Sequence, residues 1–137
     1  MKSSLSHLQF LIDYKNVDFY KSLMEFLGWK EVFSDEGVCG FSNGEEGSAS
    51  MWFLAQLHEG VQDHDQAGMN HVGIGVKEQS DVDKAVAYLK ENNIEPLFGT
   101  PTHRPEFSFG EGQTYYQVMF ESPDKVLFEI VYTGPKV

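Results

Sequence analysis

The chain has 137 residues, with 10 Lys or Arg against 21 Asp or Glu, and a formal net charge of −11. This length predicts one domain, since a single core serves ~100–150 residues, and 41% hydrophobic residues exclude wholesale disorder. The acidic balance argues against nucleic acid as a partner, because phosphate binding relies on Lys and Arg. No apolar run approaches the roughly 20 residues of a spanning helix, and no signal-peptide pattern opens the chain. Cys39 is the single cysteine, so the chain cannot form an internal disulfide. We therefore expect a cytoplasmic protein with no membrane partner.

The first half of the chain predicts a strand, a helix and three more strands. His7 opens a mostly apolar run of strand length that ends at Ile12. Apolar residues then recur at helical spacing from Val17 to Leu27, and Gly28 stands where a glycine commonly ends a helix. Turn sequences separate the β-like segments that follow, which are residues 29–33, 38–41 and 49–56.

The second half predicts the same order after a polar linker at residues 57–69. His71 opens an apolar run that ends at Val76. A helix follows, with Ser80 as its expected N-cap and Asn92-Asn93 as its end. The later β-like segments are residues 95–98, 114–120 and 126–132, and a long loop occupies residues 99–113.

The two halves therefore read as an internal repeat in which His7 and His71 hold the same place. Two βαβββ modules fit this order, module one at about residues 4–56 and module two at about 70–133. Neither module alone could bury both faces of its sheet. We expect them to pair into a single α+β domain over residues 1–137.

Three residues of this repeat are candidate metal ligands. His7 and His71 each begin the first strand of a half, and Glu129 lies in an otherwise apolar last strand. Two imidazoles and one carboxylate suit a divalent ion and leave positions open for substrate or water. Burying the carboxylate is costly without a cation or a hydrogen-bond partner. Strand-end histidines with satisfied hydrogen bonds, and an edge-strand glutamate facing solvent, are the alternatives.

These features resemble the vicinal oxygen chelate superfamily, which includes glyoxalase I, bleomycin resistance proteins, fosfomycin-modifying enzymes and extradiol dioxygenases. The resemblance covers about residues 5–133 and rests on the motifs at residues 6–10, 19–29, 70–74 and 120–129. It implies a curved, half-open barrel around a cavity and a homodimer. It also implies His7, His71 and Glu129 as ligands of a divalent ion, whether Zn, Ni, Mn, Fe or Co.

The sequence departs from the patterns of three activities of that superfamily. Where glyoxalase I has a fourth carboxylate ligand, this chain has Trp52 or Phe53, with Gln56 as a displaced substitute. The extradiol dioxygenase signature is also incomplete, since Met119 stands for its tyrosine. Fosfomycin thiol transferases use a cluster of basic residues, and here only Arg104 lies in a suitable loop.

The common mechanism of the superfamily is chelation of two adjacent substrate oxygens by a metal that acts as a Lewis acid. An acid/base is then required, and the candidates are Glu129, His103, and Tyr116 or its neighbour Tyr115. The aromatic and cationic side chains that we expect to line the substrate pocket are Trp52, Phe53, Arg104, Phe107 and Tyr115.

We therefore predict a metal-dependent lyase, isomerase or dioxygenase-like enzyme that acts on a small oxygenated molecule. The competing hypothesis is a metal-free protein that binds a small molecule or antibiotic, as bleomycin resistance proteins do. His58 and His64 are expected to be solvated residues of the linker.

Overall fold

The computed structural model describes residues 1–137, and the chain divides into two compact units, Met1–Val61 and Gln62–Val137. The boundary falls inside the segment predicted as a linker. Neither unit contains a helix long and apolar enough to cross a membrane.

The first unit is a four-stranded sheet with one helix. Its elements are β1 (His7–Ile12), α1 (Val17–Phe26), β2 (Lys30–Asp35), β3 (Val38–Ser42) and β4 (Ser50–Ala55). Strand β1 runs parallel to β4, and β3 is antiparallel to both β2 and β4, so the strand order is β1-β4-β3-β2. The helix ends as predicted, since Gly28 has φ 79° and the Trp29 amide donates to the Met24 carbonyl.

The second unit consists of β5 (Val72–Val76), α2 (Gln79–Glu91), β6 (Thr102–His103), β7 (Gln113–Glu121) and β8 (Leu127–Pro135). It repeats the topology of the first, with the strand order β5-β8-β7-β6 and β5 parallel to β8. Its helix stops at the predicted asparagines, with Asn93 at φ 56° and the Ile94 amide bonded to the Leu89 carbonyl. The predicted α+β class and the two βαβββ modules are confirmed.

Two local predictions were wrong. Residues 95–98 do not form a strand, because Phe98 and Gly99 have positive φ angles and turn the chain away after one strand-like bond from the Leu97 amide. The edge strand lies later, at β6. The N-cap of α2 is Glu78, whose side chain forms a reciprocal capping box with Asp81, two residues before the predicted Ser80.

The strand registers show which residue of the first unit corresponds to Glu129. In the second unit Gly73 on β5 pairs with Glu129 on β8, and in the first unit Gln9 on β1 pairs with Trp52 on β4. Counting from the two histidines, Gln9 and Gly73 hold the same place. Trp52, rather than Phe53, therefore occupies the position of the acidic residue, and the first unit has an indole where the second has a carboxylate.

Gly40 makes room for that indole, and its replacement is expected to destabilise the first unit. A Cβ on Gly40 would lie 2.7 Å from ring atoms of Trp52. We expect Gly40→Ala to cost about 1–3 kcal/mol of unfolding free energy, because a packed ring must be displaced. Both tryptophans, Trp29 and Trp52, lie in this unit, so urea unfolding followed by tryptophan fluorescence measures it. Gly60→Ala is the control, since nothing lies within 4 Å of its Cβ, and an equal loss there would contradict the packing argument.

Candidate functional site in the second unit

A cavity of about 380 Å³ opens in the second unit on the sheet face that carries Glu129. It brings together five residues that the sequence predicted for a site: Arg104, Phe107, Tyr115, His71 and Glu129. The sequence analysis did not assign the other lining residues, which are His64, Asp65, Asn70, Phe98, Gln117, Met119 and Leu127. The size suits a small ligand, since ligand pockets span roughly 300–1,000 Å³.

Glu129 is buried in this cavity, with only 3% of its surface exposed. The Tyr115 hydroxyl donates to both carboxylate oxygens, at 2.9 Å from Oε1 and 3.0 Å from Oε2. A Cβ on Gly73, the strand partner of Glu129, would lie 3.2 Å from Oε2. Glycine at that position therefore keeps space open beside the carboxylate. The phenol offsets part of the cost of burying the charge.

His71 faces the same carboxylate and is oriented by Asn70. The Asn70 side-chain amide donates from Nδ2 to the His64 carbonyl at 2.8 Å, which directs its Oδ1 to Nδ1 of His71 at 2.7 Å. Because that oxygen can only accept, the contact places a proton on Nδ1, and the neutral tautomer of this kind has its lone pair at Nε2. Nε2 lies 3.3 Å from Oε2 of Glu129. Two acceptors at this distance repel each other unless a proton or a metal ion lies between them.

The second half of the predicted linker packs onto the second unit, and His64 was wrongly predicted to be solvated. Its side chain is 15% exposed, and its Nδ1 lies 3.3 Å from Oε1 of Glu121. The Gln62 amide donates to the Asp124 carbonyl, and the Gln62 side chain donates to the Met69 carbonyl. These bonds hold the segment against β7 and the turn after it, so that His64 lines the cavity. His58, as expected, is exposed.

Arg104 and Phe107 form another part of the cavity lining, beside Tyr115. The Arg104 amide donates to the Tyr115 carbonyl at 2.7 Å, which fixes the loop against β7. The guanidinium carbon lies 5.5 Å from the centre of the Phe107 ring. Phe107 in turn meets Tyr115 edge-on, with the ring centres 5.8 Å apart. A cation and two aromatic rings are thus linked by contacts to the Glu129 carboxylate.

The structure places His103 and Tyr116 on the opposite face of the sheet. Side chains alternate along a strand, so Tyr116 points away from the face that Tyr115 and Glu129 share. Its hydroxyl donates to Asp83 on α2 at 2.8 Å. His103 stacks on Tyr116 with ring centres 4.3 Å apart, and its Nδ1 lies 2.8 Å from the Thr114 hydroxyl. Both are candidate acid/base residues without a contact to Glu129.

The remaining predicted residues belong to the first unit. His7 is exposed at the start of β1, with Nδ1 3.3 Å from the Ser6 hydroxyl. Phe53 is fully buried and packs on Tyr20, so it belongs to the core of its unit. Trp52 lies on the other face of that sheet, where its Nε1 donates to the Ser50 hydroxyl. Within either unit, no three His, Cys, Asp or Glu side chains gather as a metal cluster.

The two adjacent tyrosines lead to a prediction about alkaline pH. Burial, reinforced by the hydrogen bond to Glu129 and by its charge, raises the pKa of Tyr115 to about 12. Burial together with Asp83 raises the pKa of Tyr116 to about 12 in the same way. A tyrosine in the unfolded chain has a pKa of about 10. Between that pH and about 12, the unfolded chain therefore binds fewer protons than the folded protein. The stabilisation is complete below about pH 10 and is lost as the pH rises towards 12.

We therefore expect the unfolding free energy to fall over that interval, as measured by urea denaturation at several pH values. Tyr115→Phe and Tyr116→Phe should each flatten the decline, and each should remove a late step from the tyrosinate absorbance titration. A decline that is equally steep in both variants and in the wild type would contradict the assignment.

Comparisons with known proteins agree with this fold. The profile of the Glyoxalase/Bleomycin resistance protein/Dioxygenase superfamily matches residues 14–130. A glyoxalase candidate from Bacillus halodurans is 20% identical, with a TM-score of 0.76 and 96% of each chain covered. A glyoxalase/bleomycin resistance protein from Albidiferax ferrireducens is 14% identical, with a TM-score of 0.70 and coverage of 93% of this chain and 98% of that one. No curated protein matches the sequence.

The fosfomycin resistance protein FosX from Listeria monocytogenes, whose structure contains Mn(II) and a sulfate ion, is also similar. It is 19% identical, with a TM-score of 0.63 and coverage of 100% of this chain and 94% of that one. At these identities the structural neighbours show the fold alone. Together with the family profile they confirm the resemblance inferred from the motifs.

Proposed function

Because the chain belongs to the Glyoxalase/Bleomycin resistance protein/Dioxygenase superfamily, we propose that it is a divalent-metal-dependent enzyme acting on a small oxygenated substrate. The observation that carries the proposal is the pair formed by Nε2 of His71 and Oε2 of Glu129, which face each other at 3.3 Å in a cavity. His7, which holds the place of His71 in the internal repeat, is proposed as the third ligand.

The residues present fit such an ion. Imidazole nitrogen and carboxylate oxygen are ligands that Zn, Mn, Fe, Co and Ni accept. Asn70 favours the neutral tautomer of His71 whose Nε2 can bind a metal ion, and the Tyr115 hydroxyl donates to Glu129. Supporting partners of this kind are typical of metal ligands, because they set the direction of the donor atoms. The Mn(II) in FosX is a further reason to expect a divalent ion here.

When bound, the ion would polarise two adjacent substrate oxygens and stabilise the negative charge that develops on them. The chain itself supplies the rest of the chemistry. The Tyr115 hydroxyl donates to the Glu129 carboxylate inside the cavity, so we assign the acid/base role to this pair rather than to His103 or Tyr116. Phe107 and Tyr115 provide aromatic surface for the carbon skeleton of the substrate. Lyase, isomerase and dioxygenase-like reactions all fit this arrangement.

Metal titration of tag-free protein treated with EDTA tests the proposal. Calorimetry with Zn²⁺ and Mn²⁺ is expected to show one ion per chain for the wild type and for His58→Ala, which removes an exposed linker histidine. His71→Ala should lose that binding. His7→Ala should also lower the metal affinity, because His7 is the proposed third ligand. Asn70→Ala should weaken binding by roughly 10–100-fold, the usual effect of removing a supporting partner. Equal metal content in His71→Ala and wild type would overturn the assignment.

A metal-free binding protein of the bleomycin resistance type is the second candidate. Trp52 at the place equivalent to Glu129 supports it, since an indole cannot supply the fourth ligand of glyoxalase I. The aromatic rings of Phe98, Phe107 and Tyr115 in the cavity support it as well. Thermal-shift measurements separate the two functions. Stabilisation by divalent ions that EDTA reverses favours the enzyme, and stabilisation by planar aromatic drugs alone favours the binder. In either case we expect the two units to form one domain and the chain to form a homodimer.

A further inference from the structure

Arg104 is the only arginine in a chain whose net charge is −11, and it lines the cavity that holds His71 and Glu129. Long-range repulsion by so acidic a protein works against an anionic ligand, so binding one requires a local cation. The backbone bond to Tyr115 and the turn that follows, in which the Phe107 amide donates to the Arg104 carbonyl, hold this residue in place. Its position is therefore built into the fold of the loop.

The contacts of the Arg104 side chain leave its charge available to a ligand. Stacking over Phe107 uses the face of the guanidinium. The ion pair with Glu106 joins Nε to Oε1 at 3.5 Å, and the two side chains are 47% and 54% exposed. Exposed pairs at this distance contribute little. A ligand carboxylate that bonds two guanidinium N–H groups in the same plane is a stronger partner, because charge-assisted bidentate bonds are shorter and better aligned.

We propose that the cavity takes a small planar molecule that carries two adjacent oxygens at one end and a carboxylate at the other. Arg104 binds the carboxylate, Phe107 and Tyr115 contact the planar middle, and the adjacent oxygens approach His71 and Glu129. The oxygen end rests on the proposed function, whereas the carboxylate end rests on Arg104 alone. The cavity of about 380 Å³ limits the ligand to a compact molecule.

Four matched probes test the two ends separately. 3,4-Dihydroxybenzoate carries both features, 3,4-dihydroxybenzamide replaces the carboxylate by a neutral group, and 4-hydroxybenzoate and 4-hydroxybenzamide lack the adjacent oxygens. Calorimetry with Zn²⁺-loaded and metal-free protein gives each affinity without turnover. We expect each benzoate to bind at least about 10-fold more tightly than its amide, the ratio of one charge-assisted bidentate contact. Equal affinities within both pairs, or no binding by any probe, would overturn the proposal.

Variants then assign the discrimination to Arg104. Arg104→Gln should abolish the preference for the benzoates while leaving amide binding and Zn²⁺ affinity unchanged. Lys90→Gln makes the same charge change at an exposed position of α2 and should retain the preference. Glu106→Gln removes the competing carboxylate and should strengthen benzoate binding by up to about 5-fold. A preference that survives in Arg104→Gln would refute its role.

The same measurements separate this proposal from the proposed function. If the protein binds no Zn²⁺ but still distinguishes 4-hydroxybenzoate from its amide, the metal site is wrong and the Arg104 subsite stands. If Zn²⁺ binds and tightens both dihydroxy probes equally, with no effect of the carboxylate, the metal site stands and the Arg104 subsite is wrong.

Discussion

Replacement of Glu129 by glutamine is expected to weaken divalent-metal binding by at least about 100-fold while the protein stays folded. Removing a residue that only orients a ligand costs 10–100-fold, and Glu129→Gln removes the ligand charge itself. The amide keeps one oxygen that can accept the Tyr115 hydroxyl, so the buried phenol does not lose its partner. Calorimetric titration with Zn²⁺ measures the affinity, and circular dichroism checks the fold.

Two further variants separate loss of the ligand from loss of structure. Glu91→Gln makes the same charge change at the exposed end of α2 and should leave metal affinity unaltered. Glu129→Leu removes the acceptor of Tyr115, so we expect it to lower the unfolding free energy by about 1–3 kcal/mol as well as abolish binding. Metal affinity in Glu129→Gln equal to that of the wild type would remove this residue from the ligand set.

The repeat made most of the fold predictable. An apolar strand that starts at a histidine, a helix and three strands recur in each half, because each sheet packs one apolar face against its own helix. Gly28 and Asn93 could be predicted as helix ends, because glycine and asparagine are the residues that most readily adopt the positive φ found at both positions. The prediction of a strand at residues 95–98 was wrong, because a short apolar run does not indicate that Phe98 adopts a left-handed conformation.

The sequence also contains enough information to predict which of Tyr115 and Tyr116 lies beside Glu129. The turn at residues 121–127 sets the register of β7 against β8, in which Met119 pairs with Glu129 and Tyr115 pairs with Thr133. Because side chains alternate along both strands, Tyr115 shares a face with Glu129 and Tyr116 does not. The tyrosine beside the acidic residue follows from counting along the hairpin.

The roles of Asn70 and His64 were not predictable in this way. Both lie in or beside a polar segment without periodicity. His64 is placed by contacts far along the chain, such as the hydrogen bond between Gln62 and Asp124, and Asn70 is bonded in turn to the His64 carbonyl. A pattern of polar residues indicates exposure, and only the fold shows that His64 packs against β7 and that Asn70 orients His71.

Phe53 is the residue whose truncation should destabilise the first unit most, by about 3–5 kcal/mol for Phe53→Ala. The side chain is fully buried. Its ring centre lies 4.4 Å from that of Tyr20, 5.4 Å from Phe10 and 6.1 Å from Phe41. Its removal leaves a cavity that three large rings can fill only in part. Urea unfolding followed by tryptophan fluorescence measures the loss within this unit.

A ring on the other face of the same sheet is the control, because Trp52 is only partly buried and packs tilted against the exposed Phe33. Trp52→Phe should cost clearly less than Phe53→Ala. Phe53→Leu should fall between the wild type and Phe53→Ala, because it refills part of the space. If Phe53 instead lines a substrate pocket, as its sequence context suggested, Phe53→Leu would change probe affinity with little loss of stability. We expect the reverse, since a ring enclosed by Phe10, Tyr20 and Phe41 contributes to packing in its own unit.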